Sequence, residues 1–446
     1  MKVIGIRNDR CLGCKTCELY CAAERGSESK TLLGAVQETP LPQPRVCVEG
    51  ASGAAFPLQC RHCLQAPCLD ACLTGLEAQA AQAGIATGDF RRLTAGLTAD
   101  ASVLAALDQQ PEFRAPVWDY LAGLVDAERV ADGRQRLEAH RPLLEAIAER
   151  YRVEPEVVVA IWGVESDYGR IAGKRPLLRS LATLSCHGRR QAFFRGELFA
   201  ALAIVRDQDI AAEDLLGSWA GAFGQTQFMP STFQRLAVDF DGDGRRDLIG
   251  SVADALASTA NYLRRANWRR GEPWGLEVRL PAGFDAGLAG RSRGRALSEW
   301  QVLGVTAIDG SPLQRLGGRA ALLLPAGAAG PALLVGGNFD ALYRYNASEN
   351  YALAIGHLAD RLRGAGPWVT PWPTDDPGLS RAERRELQGL LLARGHDIGE
   401  IDGLLGERSR AAIRAEQRAL GWPEDGRAGK RLLAALRAAD TAAVRD

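Results

Sequence analysis

The chain has 446 residues, 46% hydrophobic and 24% charged, which is enough for two to four domains with buried cores and too apolar for a disordered polymer. Its 54 basic and 54 acidic side chains cancel, removing the net field by which nucleic acid or an anionic membrane would be attracted. Nine of its ten cysteines lie within the first 72 residues, so two regions under different redox constraints share one chain.

The N-terminus, Met1-Lys2-Val3-Ile4-Gly5-Ile6-Arg7, has no long apolar core and no small-residue cleavage site, so it reads as no signal peptide. The longest uncharged stretch, Ala320 to Phe339, is interrupted by Pro325 and Pro331 and predicts strands joined by turns instead of a transmembrane segment.

The first 75 residues are Cys-rich and loop-like. They carry Cys11-x2-Cys14-x2-Cys17-x3-Cys21 and Cys60-x2-Cys63-x4-Cys68-x3-Cys72. Thiolates at this spacing wrap a 4Fe-4S cluster, with the fourth cysteine reaching a second one; zinc and a disulfide framework are the alternatives. Cys47 stands outside both motifs and reads as a small buried hydrophobe. Through Gln59-Cys60-Arg61-His62-Cys63 and Ala66-Pro67-Cys68 the segment resembles the ferredoxin-like electron-transfer subunits of hydrogenases and molybdopterin oxidoreductases. Those subunits carry four such motifs and a proline after the closing cysteine. Here there are two motifs, and Leu73 follows Cys72, so a truncated iron–sulfur segment with an unspecified redox partner is expected.

From Leu76 the texture becomes helical and stays so to about Leu263. Residues 275–340 are rich in Gly and Val and predict a small β-containing insertion, and helix returns near Tyr351–Leu362. Gly364 to Leu379, with Pro367, Pro371, Pro373 and Pro377, predicts an interdomain linker. Residues 380–438 predict two or three amphipathic helices broken at Gly395, Gly403 and Gly421.

The run Val157-Val158-Val159-Ala160-Ile161-Trp162-Gly163-Val164 ends on Glu165. A carboxyl group at the end of so apolar a helix is expected to be partly desolvated, which favours the protonated form that a general acid needs; an exposed helix-end glutamate is the plainer alternative. Asp167, two residues on, should face elsewhere and is a poor second carboxylate. The loop from Gly217 through Ser218 and Gly224 to Gln227-Phe228-Met229-Pro230-Ser231 offers small residues for close approach and polar side chains for hydrogen bonds. Tyr262, Tyr345 and Tyr351 are residue types suited to stacking on sugars.

With Ala182-Thr183-Leu184-Ser185 and Tyr351-Ala352-Leu353-Ala354, these motifs resemble the membrane-bound lytic murein transglycosylase B family over residues 76–363. The resemblance implies a mainly α protein: a lysozyme-like helical catalytic domain with a small β-containing insertion, acting on the glycan strands of peptidoglycan. It implies Glu165 as the single acid/base in cleaving the MurNAc–GlcNAc β-1,4 bond, with a 1,6-anhydro-MurNAc product. It also implies a cleft lined by Ser218, Gln227, Tyr262, Tyr345 and Tyr351. The glycan chemistry would need no cofactor. The alternative is an iron–sulfur electron-transfer protein fused to a non-catalytic wall-binding module.

Asp239-Phe240-Asp241-Gly242-Asp243-Gly244 opens like an EF-hand loop, but position twelve is Gly250 in place of Glu. Asp239, Asp241 and Asp243, closed by Asp254, are expected to hold a structural Ca2+; a solvated Asp-Gly turn is the alternative. The C-terminal unit resembles the three-helix peptidoglycan-binding domain through Leu387-Gln388-Gly389, Ile401-Asp402-Gly403 and Asp425-Gly426. The resemblance places the protein in the periplasm or cell envelope, whereas the missing export signal leaves cytoplasmic retention open. The abrupt join near Gly75, without a linker, is what a recombined or mis-joined reading frame would produce.

Overall fold

The computed structural model describes residues 46–51, 54–59, 67–108, 116–187 and 190–443, with 46–59, 67–71, 107–108 and 441–443 followed by backbone alone. They divide into two compact units, one running through Gly75 and including Gly96–Ala101, the other comprising Leu76–Ala95 and the chain from Ser102 onward. In the first, β1 (Val46–Ala51) pairs antiparallel with β2 (Ala54–Gln59) in the register Val46 to Gln59. A helix then spans Pro67–Gln82, so the boundary expected at 75/76 falls within one helix.

The second unit is built around the Pro155–Ser166 helix. Pro155 in its first turn lacks an N–H that would have had no partner there. Every residue from Val157 to Gly163 is buried, because the segment is apolar on all sides and has no face to offer water. Helices Ala127–Ala139, Arg141–Tyr151, Val252–Arg265 and Glu349–Leu362 surround it. Behind them Leu177–Cys186 packs on Gln191–Arg206. The short strands β3 (Arg175–Pro176) and β4 (Leu216–Gly217) pair antiparallel beside them.

The expected β insertion is an antiparallel five-stranded sheet made of β5 (Gly275–Arg279), β6 (Arg295–Ala296), β7 (Thr306–Ala307), β8 (Arg319–Leu323) and β9 (Ala332–Val335). Its strand order is β6-β8-β9-β5-β7. Its own core centres on Trp300, which is fully buried and donates its indole N–H to the Ala320 carbonyl at 2.9 Å. At the C-terminal end, helices Arg381–Ala393, Glu407–Ala419 and Lys430–Ala443 close around Leu387, Leu391, Ile413, Leu432 and Leu436. The first opens on a capping box between Ser380 and Glu383. No helix among the described residues is long and apolar enough to cross a membrane.

The stretch expected as a linker is an ordered strap on the helical core. Trp368 lies 4.5 Å from His357 and 5.5 Å from Trp372, which in turn lies 6.3 Å from Trp118. The N–H groups of Val369 and Thr370 both donate to the Glu277 carboxylate at 2.7 Å. Prolines remove donors and stiffen the chain, which suits a strap as well as a spacer.

Burial, with Arg361 adding to it, pushes the His357 imidazole down to about 3. The unfolded chain takes up that proton near 6.5 and the folded one near 3, so this contribution to stability is complete above pH 6.5 and is lost as pH falls between those values, at about 1.4 kcal/mol per unit. Thermal unfolding should therefore show wild type losing about 2 kcal/mol more than His357→Gln between pH 6.5 and pH 5.

Candidate active site

Glu165 occupies the penultimate position of the Pro155–Ser166 helix and is half-buried. The Tyr351 hydroxyl donates to Glu165 Oε1 at 2.6 Å. Tyr351 stands in the first turn of the Glu349–Leu362 helix, where Ser348 Oγ accepts from its backbone N–H at 3.3 Å, so a helix cap fixes the residue that orients the carboxyl. Tyr351 is 1% exposed. Burial, and then the Glu165 charge, hold its phenol well above the ordinary value, keeping it a proton donor throughout the working range.

The other two tyrosines stand in line. Tyr345 stacks on Tyr351 with centroids 6.1 Å apart and planes 13° off parallel, and Tyr262 lies 4.7 Å from Tyr345. Phe228 completes the cluster at 6.0 Å from Tyr262 and 5.9 Å from Tyr345. Their hydroxyls serve protein acceptors: Tyr345 donates to the Thr226 carbonyl at 2.7 Å and Tyr262 to the Arg344 carbonyl at 2.6 Å. The cluster is therefore a braced aromatic wall beside Glu165.

The 217–231 loop is tied directly to the Glu165 helix. Ser166 Oγ donates to the Gln225 carbonyl at 2.5 Å and accepts from Gly169 N at 2.9 Å. Ser218 Oγ accepts from Ala222 N at 3.1 Å and holds the small-residue turn. Gln227, with φ of 50°, donates through Nε2 to the carbonyls of Ala172 and Gly224 at 3.1 and 2.8 Å. The loop's far end is anchored by buried Glu197, whose carboxylate accepts from Ser231 N at 2.9 Å and Ser231 Oγ at 2.7 Å. Gly217 shows why the loop needs small residues: a Cβ there would meet the Ala222 carbonyl oxygen at 2.4 Å.

Sequence reasoning passed over Ser166, Glu197 and the turn after the Pro155–Ser166 helix. Asp167 and Tyr168 both adopt left-handed backbone, with φ of 53° and 59°. The Asp167 carboxylate is committed to arginines: Arg170 Nε at 2.8 Å, Arg381 at 2.5 Å and Arg129 at 3.5 Å. Burial pushes its pKa up, but hydrogen bonding to Arg170 and the charges of Arg381, Arg129 and Arg170 outweigh it and hold the carboxyl below its ordinary value.

In the acidic loop, Asp239, Asp241 and Asp254 bring one carboxylate oxygen each within 4.8 Å of one another. Asp254 is completely buried and accepts from the N–H groups of Phe240 and Asp247 at 2.7 and 2.8 Å. Asp243 is apart from this trio; its Oδ1 accepts from Arg245 N at 2.8 Å. Of the expected cluster ligands, Cys11, Cys14, Cys17, Cys21, Cys60 and Cys63 lie outside the described residues. Cys68 is followed only as helix backbone. Cys72 is disulfide-bonded, as is Cys186. The spacing motif expects Cys72 as a thiolate ligand, which requires that sulfur in its reduced form.

The family model of the transglycosylase SLT domain matches residues 69–360, and that of the putative peptidoglycan binding domain matches residues 380–436. The chain is 37% identical over 221 residues to membrane-bound lytic murein transglycosylase B of Escherichia coli K12, covering 48% of this chain and 58% of that protein. It is 38% identical over 78 residues to an iron-sulfur protein of Rhodospirillum rubrum, covering 18% of this chain and 40% of that one. It thus spans less than two thirds of these curated relatives. The crystal structure of SltB3 from Pseudomonas aeruginosa in complex with NAG-anhNAM-pentapeptide is 50% identical, covers 83% of this chain and 99% of its own, and superposes with a TM-score of 0.67. The Escherichia coli lytic transglycosylase SLT35 in complex with calcium is 30% identical, covers 67% and 93%, and gives a TM-score of 0.57. The chain belongs to the lytic transglycosylase family defined by the SLT domain, with a peptidoglycan-binding domain following it.

Proposed function

We propose that this protein cleaves the MurNAc–GlcNAc β-1,4 bond of peptidoglycan glycan strands without water, leaving a 1,6-anhydro-MurNAc end. The observation that carries the reading is Glu165: a half-buried carboxyl at the end of an apolar helix, oriented by a fully buried tyrosine. Its neighbour Asp167 is bound to three arginines and is not a second reacting carboxylate. In this mechanism Glu165 gives its proton to the glycosidic oxygen as the bond to muramic C1 breaks. The resulting carboxylate then takes the proton of the muramic C6 hydroxyl, O6 closes onto C1, and the acid is restored. One carboxyl group serves both steps, whereas hydrolysis by the usual scheme needs two. The relative SltB3 was solved in complex with NAG-NAM-pentapeptide and with NAG-anhNAM-pentapeptide, and the second of these carries the anhydro end that this reaction leaves.

Ser218, Gln227, Tyr262 and Tyr345 are assigned to the walls of the glycan cleft, and Tyr351, buried behind them, to the support of Glu165. The substrate assigns the site of action to the cell envelope. Incubating purified protein with murein sacculi and analysing muropeptides by mass spectrometry tests the reading: 1,6-anhydro ends should appear, and their absence would reject it.

Asp239, Asp241 and Asp254 fit a structural Ca2+, because an all-oxygen donor set suits a hard cation. Burial, with the charge of Asp241 adding to it, raises the Asp254 carboxyl above its ordinary value, a cost that a cation would offset. The ion would fix the acidic loop against the Val252–Arg265 helix. At about a hundredfold excess over its Kd, Ca2+ should stabilise wild type by about 2.7 kcal/mol over EDTA-treated protein in thermal unfolding. Asp239→Asn should abolish the shift.

The cysteine motifs and the 78-residue similarity to an iron-sulfur protein support a 4Fe-4S site in the N-terminal segment once Cys72 is reduced. No step of the glycan chemistry is routed through it.

A further inference from the structure

We propose that Arg381, the first residue of the first helix in the peptidoglycan-binding domain, is a positioning residue for Glu165, making that domain a working part of the active site. The proposal rests on the transglycosylase reading for its catalytic consequence and on geometry for the rest.

The catalytic helix ends in a backbone that L-residues adopt reluctantly. Asp167, Tyr168 and Gly169 are left-handed in succession, immediately after Glu165 and Ser166. Such a turn persists only where its surroundings over-determine it. Tyr168 is held by its hydroxyl donating to the Arg129 carbonyl at 2.7 Å, and its ring lies edge-on to Trp162 at 5.8 Å. Asp167 is held by charge. Its Oδ1 accepts from Arg381 at 2.5 Å, and its Oδ2 accepts from Arg170 Nε at 2.8 Å.

Arg381 is anchored in turn. Its backbone N–H and its Nε donate to Asp126 Oδ2 at 3.2 and 3.1 Å. Asp126 Oδ1 meanwhile caps the Ala127–Ala139 helix through Arg129 N at 2.8 Å. The side chains of Arg381, Asp126, Asp167 and Arg129 are 11%, 4%, 15% and 7% exposed. Charges this far removed from water are screened little and bind strongly to geometry, unlike a rim ion pair.

The clamp is separate from the remainder of the docking surface. Arg427 pairs with Asp119 at 2.7 Å and also with Asp376, and Arg385 pairs with Glu128 at 2.6 Å. A Cβ on Gly378 would meet the Asp119 backbone at 2.6 Å, so these surfaces are in close contact without Arg381. Loss of the Arg381 guanidinium therefore leaves these contacts in place, keeps the backbone N–H of residue 381 on Asp126, and frees the turn behind Glu165 together with one hydrogen bond to Asp126.

Two variants and two measurements test this. In Arg381→Gln, kcat on soluble glycan strands should fall about tenfold, within the range that a small misplacement of a catalytic group produces, while KM and retention on sacculi stay within about twofold. Asp167→Asn should do the same, and the double variant should lose no more than either alone. Arg427→Gln, which cuts the interface away from Asp167, should leave kcat unchanged. Unchanged kcat in Arg381→Gln, a loss confined to KM or sacculus retention, or multiplicative losses in the double variant would overturn the proposal.

Hydrogen exchange supplies the arm that needs no turnover. Amides of residues 163–170 should exchange faster in Arg381→Gln by a larger factor than those in the rest of the second unit, and unchanged protection there would overturn the clamp. An inactive wild type would reject the transglycosylase reading, and the exchange result would still decide the clamp.

Discussion

Replacing Glu165 by Gln should reduce the formation of 1,6-anhydro ends by at least about a thousandfold, while the unfolding midpoint stays close to that of wild type. The amide fills the same space at the end of the helix and still offers an oxygen to the Tyr351 hydroxyl, so packing around Val157 to Gly163 is undisturbed. The protein loses a group that can both give and take a proton. General acid–base catalysis by a positioned side chain contributes about a hundredfold to ten-thousandfold per role. In the proposed mechanism Glu165 carries both roles in turn, which puts the expected loss toward the upper end. Product counts from sacculi, normalised to circular dichroism and thermal melting of the same preparation, check it. A variant that unfolds would say nothing about the role, so the melting curve belongs to the result.

Tyr351→Phe should lower kcat by about ten- to a hundredfold and leave KM nearly unchanged. The ring is fully buried and stacked on Tyr345, and phenylalanine preserves both features. What disappears is one 2.6 Å hydrogen bond to Glu165 Oε1. Hydrogen bonds to a charged group contribute about 1.5–3 kcal/mol, and this one is worth most when Glu165 is a carboxylate between the two proton transfers. The loss therefore falls on the reacting state and not on glycan binding. Steady-state kinetics on soluble glycan strands distinguishes the two: a rise in KM alone would make Tyr351 a wall of the cleft and nothing more.

The burial of the helix that ends on Glu165 was legible in the sequence, because a helix that is apolar all round can only be buried. The β insertion and the three C-terminal helices were legible for similar reasons of periodicity and turn chemistry. The partners of the tyrosine hydroxyls were not. Tyr262 and Arg344 are 82 residues apart, Tyr345 and Thr226 are 119 apart, and no local pattern encodes such pairings. Arg381 meets Asp126 and Asp167 across 255 and 214 residues, and in a chain with 54 basic and 54 acidic side chains an individual charge carries little information. The strap at 364–379 shows a signal that was present and outweighed. Its prolines suggest a spacer, whereas Trp368 and Trp372 have too much apolar surface to leave in water. Cysteine spacing could not show oxidation state, which is why Cys72 reads as a ligand in the sequence and is disulfide-bonded in the structure.

The central claim is that the muramic C6 hydroxyl, and not water, attacks C1. Digesting sacculi in oxygen-18 water and weighing the released muropeptides tests it most directly. The account predicts new muramic ends that are one water lighter than hydrolysis products and carry no oxygen-18. Oxygen-18 in newly formed reducing ends would show water as the nucleophile and contradict it.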